Sequence, residues 1–424
     1  MGVPDFLALL GALLVLSYAA EALFHRTRIP PVVLLIGAGV ALGPLGGALP
    51  GDSFRVAAPY FGGFALVVIL FEAGLDLDLD QTSRGVGAGA ALAGISFFLT
   101  AGTIALFGHG LLGLPTASAL ALGALLGAPS SAVVLPLVAR LGLREELKTR
   151  AVIDATLADV LGILGFTLAV DSFRGGSVAG ALIRGVGTGF VIGVAVAVFL
   201  GLLWSRALRW LSGGRFGEAL TLGIVLLLHS GLHALGGGAA VAVVAFGLTL
   251  SNEPVLLARL VERPALPDVD AGFAVLKGKL HDFISQTTFL VRTFFFVLLG
   301  LVVDWRGLEW RAVGVSALFL AVVLLARRAT VVIVRRAGLL DATDDEGSIF
   351  SALHARGLVT AVLALEAAAS GLPGAGAFPL YAFALLLATN LLVIPGLWGP
   401  LGRPRAEETP PPPPGAAAGP AGGP

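Results

Sequence analysis

Apolar runs of about 20 residues follow one another along the chain, interrupted only briefly by charged residues, prolines or glycines. Coiled as helices, runs of that length match the hydrocarbon thickness of a bilayer, and their continuity argues against the strict alternation of a β-barrel. Backbone polar groups in lipid find partners only inside a helix or a closed barrel, so the pattern predicts an all-α polytopic membrane protein. The expected transmembrane helices number about thirteen, at 6–24, 31–49, 57–75, 86–108, 115–139, 150–170, 178–203, 217–235, 238–252, 282–303, 312–334, 347–370 and 376–399. The run at 238–252 is short for a crossing, so the pattern allows roughly twelve to fourteen.

Composition agrees. The 424 residues are 57% hydrophobic and 13% charged, with a mean hydropathy of +0.94, too little polar surface for a soluble fold. Cysteine is absent and net charge is zero, which excludes thiolate chemistry and gives no reason to expect nucleic acid as a partner. The first apolar run has no basic leader and is followed by "FHRTR", so it reads as a retained span rather than a cleaved signal. The Pro/Gly/Ala-rich segment 401–424 has no apolar periodicity and is expected to be disordered. The segment at about 253–281 reads as the longest loop, with an amphipathic stretch suited to the membrane surface.

Loop charges set an orientation. With the N-terminus outside, the inner loops collect Arg26, Arg28, Arg84, Arg140, Arg144, Lys148, Arg150, Arg206, Arg209, Arg215, Arg259, Arg263, Lys277, Lys279, Arg335, Arg336, Arg403 and Arg405. The outer loops hold only Arg55, Arg174, Arg306 and Arg311, with Arg184 near an outer end, so the bias predicts N-out and C-in.

Against this background the charged residues inside spans stand out. Asp159 lies about nine residues into the span 150–170, and an ionised aspartate at mid-bilayer costs roughly 2.5–3.5 kcal/mol on insertion scales, so it needs partners, water or a purpose. A carboxylate there suits a site that takes either a proton or a small cation. Thr156 is a nearby hydroxyl. Asp154 is five residues away, about 140° around the helix, and faces a different neighbour, where a structural ion pair is expected. The cations available inside spans are Arg292, Arg327, Arg328 and Arg356. In "GALLGAPSSAVVLPLVARLGL", Gly127 and Pro129 invite a helix break, exposing half-helix ends beside the hydroxyls of Ser130 and Ser131. His229 and His233 have i, i+4 spacing, but Ser230 stands where a zinc protease would need glutamate, so a packed or interfacial pair is expected. No phosphate-binding loop or nucleophile–base arrangement suggests an enzyme.

Several stretches together resemble the monovalent cation:proton antiporter superfamily: "RIPPVVLLIGAGVALGP", "LFEAGLDLDLD", "GAPSSAVVLPLVARLGL", "TFFFVLLGLVVD" and "HARGLVTAVLALE", in the family's order across about 330 residues. The family's ion motif, often E-S-L-L-N-D, falls on Asp154, Ala155, Thr156, Leu157, Ala158 and Asp159. The resemblance implies that Asp159 is the ion and proton carrier and therefore the ligand of the transported metal cation, and that Asp154 pairs with an arginine matching Arg327, with Arg328 one step away. Ala158 departs from the family's asparagine or aspartate, the choice that distinguishes electroneutral from electrogenic members. Ser131 stands where one branch has aspartate.

The resemblance also implies inverted repeats with two crossing broken helices, at 115–139 and 347–370. A core would comprise spans 86–170 and 312–399, with a scaffold and homodimer surface at 6–75 and 217–303. The expected function is a secondary antiporter of a bacterial inner membrane, exchanging Na⁺ or K⁺ for H⁺ by alternating access without a cofactor. Ion and proton binding is assigned to Asp159, Thr156, Ser130 and Ser131, and a structural charge group to Asp154, Arg327 and Arg356. With Asp159 the one unpaired carboxylate in the cavity, exchange is expected to be one for one and electroneutral. The rivals are a sodium-coupled organic-anion symporter, with Arg356 holding substrate, and a non-transporting membrane sensor or scaffold.

Overall fold

A computed structural model describes residues 3–27, 30–45, 58–77, 79–139, 141–174, 189–210, 216–235, 238–256, 270–302 and 309–396. The described residues are helical, with no strand among them. The helices are α1 (Val3–Thr27), α2 (Pro31–Val40, continuing as a π turn over Ala41–Leu45), α3 (Ala58–Asp76), α4 (Leu79–Gly110), α5 (Thr116–Gly127), α6 (Ser131–Val138), α7 (Glu145–Phe173) and α8 (Val191–Trp210). They continue with α9 (Gly217–Ala234), α10 (Ala239–Ser251), α11 (Asp270–Val302), α12 (Trp310–Arg336), α13 (Asp344–Ala352), α14 (Leu358–Ala369) and α15 (Phe378–Gly396). Among the described residues, 9 helical stretches are long and apolar enough to cross a bilayer, and Pro31–Gly43, Ala239–Ser251 and Leu358–Ala369 are shorter apolar helices.

Several helices outrun the apolar windows that predict them, because a helix keeps its internal hydrogen bonds after it leaves the hydrocarbon. Thus α7 begins at Glu145, where Glu145 and Glu146 in the first turn complement the positive end of the helix dipole. Helix α11 begins at Asp270, so the last part of the expected 253–281 loop is helical; most of its amphipathic stretch, 257–269, lies outside the described residues. The tail 401–424 and Arg28, Arg55, Arg140, Arg184, Arg215, Arg259, Arg263, Arg306, Arg403 and Arg405 also lie outside them.

Packing divides the helices into neighbourhoods. Helix α7 lies against α4, α5 and α6, while α12 packs on α4 and α15, and α14 on α15 and α5. Elsewhere α3 packs on α10 and α11, α2 on α11, and α8 on α10, with α3 also touching α14 and α6. At the end of the bundle where α7 begins, Arg144 joins the two sides of the first neighbourhood. Its Nε and Nη2 donate to Glu346 at 3.1 and 3.2 Å, and Nη2 also donates to the Asp341 carbonyl at 2.8 Å. Glu346 belongs to a capping box: it accepts from the Thr343 N–H at 2.8 Å, and its own N–H donates to Thr343 Oγ1 at 3.3 Å. The same residues therefore start α13 and fasten it to the α6–α7 loop.

Candidate functional site

Two apolar segments fail to stay helical, and their interruptions meet. Helix α5 ends at Gly127, after which Ala128 (φ −93°, ψ 131°) and Ser130 (φ −94°, ψ 124°) are extended before α6 starts at Ser131. Pro129 between them has no N–H to donate and disfavours a helical residue before it, which accounts for the break. Residues 353–357 form the second break, between α13 and α14. Extended backbone in lipid must find partners outside its own segment. Ser130 N–H donates to the Ala355 carbonyl at 2.8 Å, so each break supplies what the other needs. From α15, Thr389 Oγ1 accepts the Arg356 N–H at 3.0 Å and Asn390 Nδ2 donates to the Arg356 carbonyl at 2.8 Å.

The breaks approach so closely that a Cβ at Gly357 would overlap the Ser130 side chain. Gly357→Ala should therefore force the breaks apart and destabilise the protein by about 1–3 kcal/mol, the usual range for overpacking. Thermal unfolding in detergent checks this; an unchanged midpoint would mean that the breaks separate freely.

Asp159, at mid-helix on α7 and only 2% exposed, faces this junction. Its Oδ2 accepts two hydrogen bonds from one residue, Ser131 N–H at 2.9 Å and Ser131 Oγ at 2.6 Å. A carboxylate from another helix thus caps the first turn of α6, where free N–H groups and the dipole favour negative charge. Asp154, one turn and a half toward Glu145, lies elsewhere: Arg327 Nη2 donates to its Oδ2 at 2.6 Å, with both side chains 2% exposed. Arg327 Nε donates to the Phe350 carbonyl at 2.9 Å, tying α12 to α13 as well as to α7. The neighbouring Arg328 is exposed.

Arg356 lies within electrostatic reach of Asp154, Asp159 and Arg327, but hydrogen-bonds to none of them. No ion pair joins it to either aspartate among the described residues; its Nη1 donates to the His354 carbonyl at 3.4 Å and its Nη2 to the Gly127 carbonyl at 3.3 Å. The physical reason is its place inside the second break, where the free carbonyl end of α5 is within reach. A cation there complements the negative end of a half-helix. Thr156 is buried, but its hydroxyl is not bonded to Asp159. Thr156 Oγ1, Ser130 Oγ, Asp154 Oδ1, Arg327 Nη1, Arg356 Nε, His354 Nε2 and Asn390 Oδ1 are all buried without a protein hydrogen-bond partner. Buried polar atoms are normally paired, so this concentration around the breaks marks groups that water or an ion can satisfy. Thr389, Asn390 and His354 are additions to the expected set, and a Thr-Asn pair within the apolar run 378–396 was the available signal.

Cavities approach Asp159 from both ends of α7. One, of about 120 Å³, is lined by Glu72, Asp76, Ser131, Ser285, Thr288 and Arg292, so Ser131 separates it from Asp159. Asp76 and Leu135 also line a second cavity, of about 340 Å³, which reaches Glu145 and Lys148. From the other end, a cavity of about 270 Å³ is lined by Ile163, Thr167, Asp171, His229, His233 and Glu366 among others, and Ile163 lies one turn beyond Asp159 on α7. The aspartate sits between these approaches.

A bilayer-spanning helical bundle with a buried carboxylate between opposed cavities is the architecture of a transporter rather than an enzyme. The family described as "Sodium/hydrogen exchanger, transmembrane" matches residues 10–399, and the chain belongs to that family. It is an integral membrane cation/proton antiporter whose ions are substrates, and it needs no cofactor.

Its relatives include Na(+)/H(+) antiporter 1 of Methanocaldococcus jannaschii, 25% identical over 384 residues, covering 87% of this chain and 85% of the relative. Sodium/hydrogen exchanger 9B1 of Homo sapiens is 28% identical over 277 residues, 62% of this chain and 49% of the relative. Human sodium/hydrogen exchanger 9B2 is 36% identical over a shorter 143 residues, 32% of this chain and 26% of the relative. Among solved structures, the sodium proton antiporter MjNhaP1 from Methanocaldococcus jannaschii superposes with a TM-score of 0.74 over 93% of this chain and 97% of that one, at 20% identity, a likeness of fold.

Proposed function

We propose that Asp159 is the carboxylate at which one monovalent cation, Na⁺ or K⁺, and one proton alternate. The observation that carries this reading is the position of Asp159: buried at mid-helix, held by the first turn of the interrupted helix α6, with cavities approaching from both ends of α7. A carboxylate removed from water is stable only when its charge is balanced, and either a proton or a monovalent cation balances it. Ser131, Thr156 and Ser130 would supply further oxygens to the cation. Thr156 Oγ1 and Ser130 Oγ are buried and unpartnered, and thus available for that role.

Alternating access supplies the transport step. The helices around α4–α7 and α12–α15 form the moving core, and those around α1–α3 and α9–α11 the scaffold and homodimer surface. The two interrupted segments, α5–α6 and α13–α14, are corresponding parts of an inverted repeat, crossing at Ser130 and Ala355. The chain crosses a bacterial inner membrane thirteen times, N-out and C-in. The cavity at Glu145 and Lys148 then faces inward and the cavity at His229 and His233 outward. Arg356, which an organic-anion symporter would need for substrate, has both Nη atoms on carbonyls and lines none of these cavities, so the symporter reading has no support in the geometry.

Stoichiometry follows from the charge count. Asp154 is held by Arg327 and Ala158 adds no ligand, so a single carboxylate carries about one charge in each direction and the cycle is electroneutral. In sealed proteoliposomes with a lumenal pH dye, an imposed Na⁺ or K⁺ gradient should drive proton movement. With Na⁺ as the exchanged ion and the membrane potential clamped by K⁺ and valinomycin, the initial rate should not change with potential. A rate that rises severalfold would assign a second charge to the cycle, with Glu72, which lines the cavity beside Ser131, or Asp154 itself as the candidates. Absence of any cation-driven flux would instead support a sensor or scaffold.

A further inference from the structure

A guanidinium and a carboxylate buried near one another normally close into an ion pair, yet Arg356 and Asp159 do not bond. Each is 2% exposed, and each lies within electrostatic reach of the other. At low dielectric opposite charges attract strongly, and a guanidinium donates to a carboxylate more strongly than to a neutral carbonyl. Arg356 instead rests on the carbonyls of His354 and Gly127 at 3.4 and 3.3 Å, both long for hydrogen bonds, and its Nε has no protein partner. Asp154 is occupied by Arg327. Asp159, bonded among the described residues only to the neutral donors of Ser131, is therefore the carboxylate that Arg356 would take.

The backbone of Arg356 is what restrains it, because α15 grips it on both sides. Thr389 Oγ1 accepts the Arg356 N–H at 3.0 Å, and Asn390 Nδ2 donates to the Arg356 carbonyl at 2.8 Å. Each of these side chains is itself anchored one turn back on α15. Thr389 Oγ1 donates to the Leu385 carbonyl at 2.7 Å, and Asn390 Nδ2 donates its other hydrogen to the Leu386 carbonyl at 2.8 Å. Both residues are 0% exposed, and polar groups so deep in an apolar helix are costly unless they are bonded.

We propose that Thr389 and Asn390 are positioning residues that keep the Arg356 guanidinium off Asp159, so that the carboxylate stays open to the transported cation. Their role rests on the exchange reading above. With its N–H and carbonyl both fixed, Arg356 reaches the carbonyl end of α5 at Gly127, four residues before the Ser131 N–H that Asp159 caps. The two ends of one interrupted helix thus carry opposite charges without a bond between them, the cation at the carbonyl end and the carboxylate at the N–H end. Arg356 bonded to Asp159 would supply the positive charge that a cation or a proton otherwise brings, and a carboxylate balanced in that way takes up neither.

Cation affinity reads this directly, by calorimetric titration of Na⁺ into the full chain in detergent at alkaline pH. Thr389→Val and Asn390→Leu remove the hydroxyl and the amide at nearly constant volume, and each should weaken binding by about tenfold or more, the equivalent of one hydrogen bond to a charged group. Thr389→Ser keeps the hydroxyl and should bind as wild type does. Adding Arg356→Gln to Thr389→Val should restore affinity to within about threefold of wild type, because no guanidinium is left to occupy Asp159. Arg356→Met carries the same test where the glutamine variant does not fold. Loosened packing alone is not relieved by a second change in the same place, so binding that stays weak without the guanidinium would overturn the proposal. Wild-type affinity in both Thr389→Val and Asn390→Leu would overturn it as well. Asp159→Asn, titrated alongside, separates the two readings. Loss of binding there with full binding in Thr389→Val faults the positioning alone, whereas full binding in Asp159→Asn overturns the exchange reading and the positioning with it.

Discussion

Asp159→Asn is expected to insert, remain monodisperse and unfold at close to the wild-type temperature, while cation-driven proton movement falls below about a tenth of wild type, because an amide neither releases a proton nor balances a cation. The fold should tolerate the change because the hydrogen bonds at stake have a substitute: Ser131 N–H and Oγ donate to Asp159 Oδ2 at 2.9 and 2.6 Å, and an asparagine carbonyl oxygen can accept both. The exchange chemistry has no such substitute. Asp154 lies about 140° around α7 and is engaged by Arg327, so it cannot serve as the carrier without breaking its own pair. Exchange retained above about a tenth in Asp159→Asn would move the carrier elsewhere, and the acidic lining near Ser131, Glu72 and Asp76, would be the next place to look.

The second large effect concerns stability. Removing Asp154 or Arg327 singly should cost about 3–5 kcal/mol, since each leaves an uncompensated charge at a position 2% exposed. Arg327 loses more than one contact, because its Nε also holds the Phe350 carbonyl at the end of α13. Replacing both by apolar residues of similar volume should recover much of the loss, because the pair carries its own desolvation penalty and each partner retains an unpaired atom, Asp154 Oδ1 and Arg327 Nη1. Thermal unfolding of the two single variants and the double variant gives the coupling directly. If Asp154→Ala unfolds at the wild-type temperature, the pair has no structural role.

The lipid-facing pattern made the helices legible, since every run long enough to cross a bilayer had to satisfy its backbone internally. The first break was legible at Gly127 and Pro129, where a donor is missing and the preceding residue is pushed out of helical geometry. The second had no proline, and its extension at 353–357 depends on partners from α5, α6 and α15 that no local signal reveals. Arg327 and Arg328 were indistinguishable as partners of Asp154, because adjacent helical residues differ by about 100° and tertiary packing decides which faces inward. The direct partners of Arg356 are not legible, because sequence displays acidic side chains but not free carbonyl ends, and the carbonyl of Gly127 is what its Nη2 reaches. The early starts of α7 and α11 were missed for a related reason: apolar windows mark the hydrocarbon boundary, whereas the helix ends where its hydrogen bonding ends.

The central claim is that proton and cation displace one another at Asp159, and binding stoichiometry tests it without a membrane. Na⁺ or K⁺ added to purified protein in weakly buffered detergent, at a pH where the site is protonated, should release about one proton per cation bound, reported by a pH indicator against a parallel calorimetric measure of cation binding. Asp159→Asn should release none and bind no cation, while Asp76→Asn and Glu72→Gln should leave the release at Asp159 in place. Cation binding without proton release in wild type, or undiminished release from Asp159→Asn, would contradict the account.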